Sequence, residues 1–127
     1  IGAGLPGHKI DGTDIWPLIA GQSGARSPHE AYYFYYGKEL QAMRMGDWKL
    51  HSPHGYRTMA GRPGGTGGIP TAYSQSELGL SLFNLKTDPT ETTDVKDSHP
   101  EIVAAMKALA KEMRSDLGDS RLQVEGA

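Results

Sequence analysis

Residues 31–36 read Ala-Tyr-Tyr-Phe-Tyr-Tyr, an aromatic run without a polar break. Aromatic side chains suit a pleated, half-buried surface, so the run predicts a strand. Alternate strand residues point to opposite faces. Tyr33 and Tyr35 therefore share one face, and Tyr32, Phe34 and Tyr36 the other. A strand that is apolar on both faces needs cover on both. Any fold built on this strand must supply two covers or leave one face to a partner.

Three further strands are legible. Gly37-Lys38-Glu39 reads as a turn into Leu40–Met45, whose alternation places Leu40, Ala42 and Arg44 on one face. Gly46-Asp47 marks a tight connection to Trp48–His51, with Trp48 and Leu50 inward and Lys49 and His51 outward. Leu80–Leu85 is the fourth, with Leu80, Leu82 and Asn84 on one face, and Lys86-Thr87-Asp88-Pro89 closes it. Between them, residues 53–75 read as a long loop. Six of the chain's 17 glycines lie from Gly55 to Gly68, and the stretch 55–72 lacks the closing Gly-Lys-Ser/Thr of a phosphate loop.

One helix is clear. Ser98-His99-Pro100-Glu101 has capping-box spacing. Ile102, Val103, Met106, Leu109, Ala110, Met113 and Leu117 then fall on one stripe at helical spacing, and Gly118 is a natural stop. The fold class is α+β: a small four-stranded antiparallel sheet with a C-terminal helix packed on one face, preceded by an irregular N-terminal arm. Within the arm, Asp14 is placed to cap a single turn over residues 15–19, and Ile10, Ile15, Trp16, Leu18 and Ile19 call for packing. Residues from 119 onward read as a frayed tail. The single helix covers one sheet face, so the other awaits a second domain or a second copy of the chain.

Composition excludes several classes of function. The chain has no cysteine, so disulfides, thiolate nucleophiles and cysteine-ligated zinc are out of reach within it. Its net charge of -2 carries no clustered basic surface for nucleic acid. No apolar run is long enough to span a bilayer as a helix. His51 and His54 stand three apart, but a zinc site needs a third and usually a fourth ligand, which Asp47 or Glu30 would have to supply. Asp88, Glu91, Asp94 and Asp97 lack the spacing of a helix–loop–helix calcium site. No residue reads as catalytic, metal-binding or cofactor-binding. The aromatic run has a second reading, as a platform on which sugars or bases stack.

The elements, taken in order, resemble a known family. Lys9-Ile10-Asp11-Gly12-Thr13-Asp14-Ile15-Trp16-Pro17-Leu18-Ile19-Ala20-Gly21 is similar to the stretch that follows the catalytic domain in arylsulfatases of the alkaline-phosphatase-like superfamily. Ser27-Pro28-His29-Glu30 with Tyr32–Tyr36 resembles the next element. Gln41-Ala42-Met43-Arg44-Met45-Gly46-Asp47-Trp48-Lys49-Leu50-His51 resembles the family's Trp-Lys-Leu hairpin. Residues 82–95, through Asp88-Pro89-Thr90-Glu91, resemble its strand and acidic loop, with Asp94-Val95 standing where Asn-Leu is usual.

The resemblance implies the C-terminal subdomain of a sulfatase. Residues 1–30 would be the connector arm from a catalytic domain, with Asp11 structural, 31–118 the subdomain and 119–127 its tail. The opening Ile1-Gly2-Ala3 fits a piece of something longer. The parent would hydrolyse sulfate esters with calcium and a formylglycine made from cysteine. This span would be inactive alone, supplying scaffold and part of the cleft rim. His51, His54, Lys49 and Arg44 are the rim candidates, with Arg57 and Arg62 from the glycine-rich loop. Partners would be the parent's own catalytic domain, or a second copy through the exposed sheet face, and a sulfated small molecule or glycan. The resemblance favours a periplasmic or secreted parent. Two alternatives stay open: a non-catalytic carbohydrate-binding or interaction module, and a phosphoester hydrolase of the same superfamily as the parent.

Overall fold

The computed structural model describes residues 4, 7, 8, 10 and 12–127, and the chain divides into two units between Glu30 and Ala31. Lys9 and Asp11 of the arm lie outside the described residues. The first unit carries one short helix, α1 (Trp16–Ile19), with Pro17 in its first turn. Ile15 occupies the cap position expected for Asp14. Asp14 still starts the turn, because its carboxylate accepts a hydrogen bond from the Trp16 amide at 2.8 Å. The apolar residues of α1 find no burial: Trp16 is 64% and Ile19 67% exposed.

The second unit contains β1 (Tyr32–Tyr36), β2 (Glu39–Met45), β3 (Trp48–His51), β4 (His54–Thr58), β5 (Ser74–Leu78), β6 (Ser81–Asn84) and α2 (Pro100–Leu117). Strands β1-β2-β3-β6 form an antiparallel sheet in that spatial order, as the sequence predicts. Its register aligns Tyr33, Met43, Leu50 and Leu82 across one face. Leu40, Met43, Leu50 and Leu82 meet Met106 and Ala110 of α2 in the buried core. The tight turn from β2 to β3 needs positive φ at Gly46 (57°), which glycine adopts without steric cost.

Strict alternation along β2 fails at one point. Tyr35 pairs with Leu40 and Phe34 with Ala42, which leaves Gln41 as an extra residue. Such a bulge resets which side chains share a face. Leu40 therefore lies with Met43 on the helix-covered face, while Ala42 and Arg44 join Tyr32 and Phe34 on the other.

The segment expected as a loop over 53–75 contains a ribbon. β4 and β5 pair antiparallel from His54–Leu78 to Thr58–Ser74. His-Gly-Tyr-Arg-Thr and Ser-Gln-Ser-Glu-Leu carry no clean apolar alternation, so only backbone pairing defines them. Arg62 ties the ribbon's outer end, donating to Ser74 Oγ at 2.6 Å and to the Met59 carbonyl at 3.0 Å. Beyond it, a Cβ on Gly65 would sit 1.8 Å from the Ile69 carbonyl oxygen, so only glycine fits that close approach.

The helix start and the tail also depart from expectation. Ser98 belongs to a 3-10 turn (Lys96–Ser98), and its amide bonds the Val95 carbonyl at 3.0 Å. The cap position of α2 falls instead on His99, which makes no side-chain cap bond, so the capping box does not form. Pro100 needs no donor there, and Glu101 lies in the first turn, where the helix dipole favours it. The tail folds back. Asp119 is 2% exposed and pairs with Arg114 Nε at 2.7 Å. Arg114 Nη2 reaches Ser52 Oγ at 2.9 Å, and the Ser120 amide bonds the Lys38 carbonyl at 2.8 Å.

Removing one partner of a buried ion pair leaves the other charge uncompensated. Arg114→Leu should cost about 3–5 kcal/mol of stability, read from urea unfolding. Lys107→Ala, on the exposed side of the same helix, should stay within about 0.5 kcal/mol. Equal effects of the two would remove the role assigned to the Arg114–Asp119 pair.

Candidate functional site

Lys49 and His51 project from β3 onto the face away from α2, as their alternation predicts. Arg44 is the cross-strand partner of Lys49. His54, just past the strand end, brings its ring over His51, with centroids 5.3 Å apart and planes within 19°. Three of the four rim candidates thus form one cluster, and Arg44 adjoins it.

The residue that organises the cluster is Glu91, 40 positions away in the chain. Its Oε1 accepts from Lys49 Nζ and its Oε2 bonds His51 Nε2, both at 2.6 Å. Glu91 reaches them from a loop held by two aspartates. Asp88 accepts hydrogen bonds from the Thr92 and Thr93 amides at 2.8 Å and from the Thr90 and Thr92 hydroxyls. These bonds, the Thr93 amide first, draw the Asp88 carboxyl below its ordinary range. Asp94 accepts from the Leu82 and Lys96 amides at 3.0 Å and anchors the loop to β6. Within this frame Glu91 takes φ of +56°, a left-handed conformation that non-glycine residues seldom adopt. The acidic residues thus work as loop ties and as a counter-charge.

Electrostatics fixes the protonation of the cluster. Burial pushes the His51 imidazole below its ordinary 6.5. The Glu91 hydrogen bond pulls the other way without overcoming it, and the Lys49 charge adds to the lowering. The carboxylate can only accept, so neutral His51 donates from Nε2. Its Nδ1 is buried and has no hydrogen-bond partner among the described residues. A proton added there would be a buried cationic donor with nothing to receive it. For Glu91, burial is the largest single influence and raises the carboxyl. The Lys49 and His51 bonds and charges together outweigh it, so it sits below its ordinary 4.5.

The arrangement is therefore a pair of opposite charges, Lys49 and Glu91, beside a neutral imidazole. Lys49 also lies 5.3 Å above the Phe34 ring. A shallow groove of about 260 Å³ runs along the cluster, past Phe34, Tyr36, Gln41 and His54. Among the described residues Arg44 forms no ion pair, and its Nε donates to the Gly46 carbonyl at 2.9 Å. Arg57 and Arg62 lie on the ribbon, outside this cluster. Among the described residues no group of histidine and carboxylate side chains is placed to hold a metal ion. The chain also offers no cysteine for a formylglycine. Among the described residues, therefore, nothing fits the calcium or the formylglycine that the resemblance implies for a parent.

Comparison with known proteins defines the class. Residues 27–127 match the family model described as the C-terminal region of aryl-sulfatase, and the chain belongs to that family. Among curated relatives, arylsulfatase A of Homo sapiens and arylsulfatase A of Bos taurus are each 31% identical over 121 residues, covering 85% of this chain. The chain spans 23% of the length of each.

Both shifts bear on stability with the same sign. His51 is held below its unfolded value, so its contribution is complete above about pH 6.5 and declines as pH falls from there. Glu91, also lowered, contributes above the ordinary carboxylate range and loses that contribution on further acidification. The melting temperature should therefore drop between about pH 7.5 and 5.5, and His51→Gln should flatten the curve in that window. Glu91→Gln should cost about 1.5–3 kcal/mol at neutral pH, the range for hydrogen bonds to charged groups. Circular dichroism melts across the range check both, and a wild-type curve as flat as that of His51→Gln would contradict the assignment.

Proposed function

We propose that this chain is the C-terminal domain of a sulfuric ester hydrolase, where it supplies scaffold and one wall of the substrate cleft. The match of residues 27–127 to the C-terminal region of aryl-sulfatase carries the reading. Formylglycine and calcium, by family resemblance the groups that do the chemistry, would be held by a separate catalytic portion, and this span alone would be inactive. Docking onto that portion would use Tyr32 and Phe34, which meet edge to face at 4.9 Å and lie exposed beside Arg44 on the β1 side of the sheet face away from α2. The exposed apolar residues of α1, in the first unit, are further material for such an interface.

Charge balance divides the labour among the rim candidates. Lys49 is neutralised by Glu91, and His51 is uncharged, so these two with His54 tie the end of β3 to the Glu91 loop. Arg44 is the free positive charge next to the docking aromatics and would steer an anionic sulfate ester toward the cleft. Steering by one exposed charge acts on association and fades with salt.

In the protein that includes the catalytic portion, Arg44→Ala should lower kcat/KM for an aryl sulfate about three- to tenfold at low ionic strength, with the gap closing near 1 M salt. kcat should hold. The 127-residue chain assayed by itself should show no turnover. Preferential hydrolysis of an aryl phosphate over the sulfate would turn the reading to a phosphoester hydrolase. An Arg44→Ala defect in kcat that ignores salt would end the steering role.

A further inference from the structure

Gln41 lies between the groove beside His51 and another between the sheet and the ribbon. On the side of the sheet that α2 covers, the second unit has a separate cavity of about 320 Å³. The buried Leu40 and Leu50 line it from the sheet, with Pro53, Leu80 and Leu122 around them. Lys107, Ala110 and Arg114 border it from α2. These three stand at helical spacing and share one face of the helix. The small Ala110 between two long cationic side chains leaves the hollow open. Small-ligand cavities start at about 300 Å³ and are mostly apolar, with a few polar groups that fix orientation.

Most polar groups of the cavity are already engaged. Asp119 Oδ2 accepts from Arg114 Nε at 2.7 Å, and its Oδ1 accepts from the Arg121 amide at 3.1 Å. Its charge is matched and both oxygens are occupied. Ser52 Oγ accepts from Arg114 Nη2 at 2.9 Å. The Arg121 guanidinium turns to Glu39 at 3.2 Å and to Glu77 at 3.6 Å. What remains open is cationic. Among the described residues, neither the Lys107 ammonium nor Arg114 Nη1 makes a hydrogen bond or ion pair. Nη1 is not sealed in the interior, because among the described residues His51 Nδ1 is the one fully buried side-chain polar atom without a partner. With Asp119 balancing Arg114 and Glu39 balancing Arg121, Lys107 contributes a positive charge that nothing in the cavity offsets.

We propose that this cavity binds a medium-chain aliphatic carboxylic acid as its monoanion. The chain lies over Ala110 among the leucines. The carboxylate accepts from Arg114 Nη1, and the Lys107 ammonium supplies the counter-charge at the mouth. Among the described residues no aromatic side chain lines the cavity, so its walls suit a flexible chain rather than a stacked ring. One unmatched cation suits one negative charge. Asp119 holds the Nε side of the guanidinium and so fixes the direction of Nη1 before the acid arrives, which spares ordering cost on binding. The site lies across the sheet from the Lys49–His51–Glu91 cluster and does not depend on sulfatase activity in a parent.

The test is titration of the 127-residue chain at neutral pH with octanoate below its micelle concentration, followed by amide and methyl chemical shifts. Saturable shifts at Leu80, Ala110 and Leu122 are expected, with a melting temperature that rises with octanoate. Octan-1-ol has the same chain without the charge and should bind about tenfold weaker. Butanoate keeps the charge on a shorter chain and should be at least about tenfold weaker. Lys107→Gln should bring octanoate to the level of the alcohol and leave the alcohol unchanged. Leu122→Ala should weaken both eight-carbon probes about three- to tenfold. Ala110→Leu fills the hollow and should abolish binding; if that variant does not fold, Leu122→Ala decides. Tyr32→Ala, across the sheet, should bind as the wild type does. Absence of saturable shifts, shifts that map to the ribbon or to β1, or full affinity in Leu122→Ala overturns the proposal. Octan-1-ol that binds as tightly as octanoate, or a preference for the acid that survives Lys107→Gln, overturns the assignment of a monoanion.

Discussion

The extra residue at Gln41 decides how this domain uses its longest strand. Without the bulge, Leu40 and Met43 would point to opposite sides of the sheet. With it, both enter the core beneath α2, where they are 2% exposed, so that one face gains an apolar side chain that strict alternation would send to the other. Burying each contributes roughly 1.5–3 kcal/mol, a large share of what a domain of this size has in hand. The same irregularity leaves Ala42, 4% exposed, and Arg44 on the face away from α2, with Gln41 between two grooves. The core and the lining of both grooves are thus set by one insertion of backbone.

Much of the architecture is legible in the residues. The aromatic run, the Trp48-Lys49-Leu50-His51 alternation and the stripe from Ile102 to Ala110 each announce their element through side-chain periodicity. The features that stay hidden have no such signal. The bulge depends on register between two strands, which no local pattern encodes. The β4–β5 ribbon is defined by backbone bonds between polar, glycine-containing segments. The capping box at Ser98 has the right spacing, yet a 3-10 turn claims the Ser98 amide and moves the helix start to His99. Asp119 follows a helix-ending glycine, where fraying is the ordinary outcome, but Arg114 one turn earlier supplies a partner for its carboxylate.

The candidate site follows the same division. His51, His54, Lys49 and Arg44 are nominated by strand alternation and family pattern, and the fold brings them side by side. Glu91 is missed because it acts across 40 residues, from a loop whose shape depends on Asp88 and Asp94. An acidic stretch without metal-ligand spacing can still order one carboxylate against a cation and an imidazole. That carboxylate decides which charges on the sheet face are spent internally and which stay free.

The sheet order places β3 next to β6, although the ribbon intervenes between them in sequence. Everything from Ser52 to Leu80 therefore departs from and returns to neighbouring points. Closing such an excursion costs only about 0.6 kcal/mol more for each doubling of its length. Natural variation can lengthen, shorten or exchange this segment while the four-stranded platform and its helix keep their packing. The domain is in that sense a chassis with a replaceable attachment, and changes of chain length are cheapest to make there.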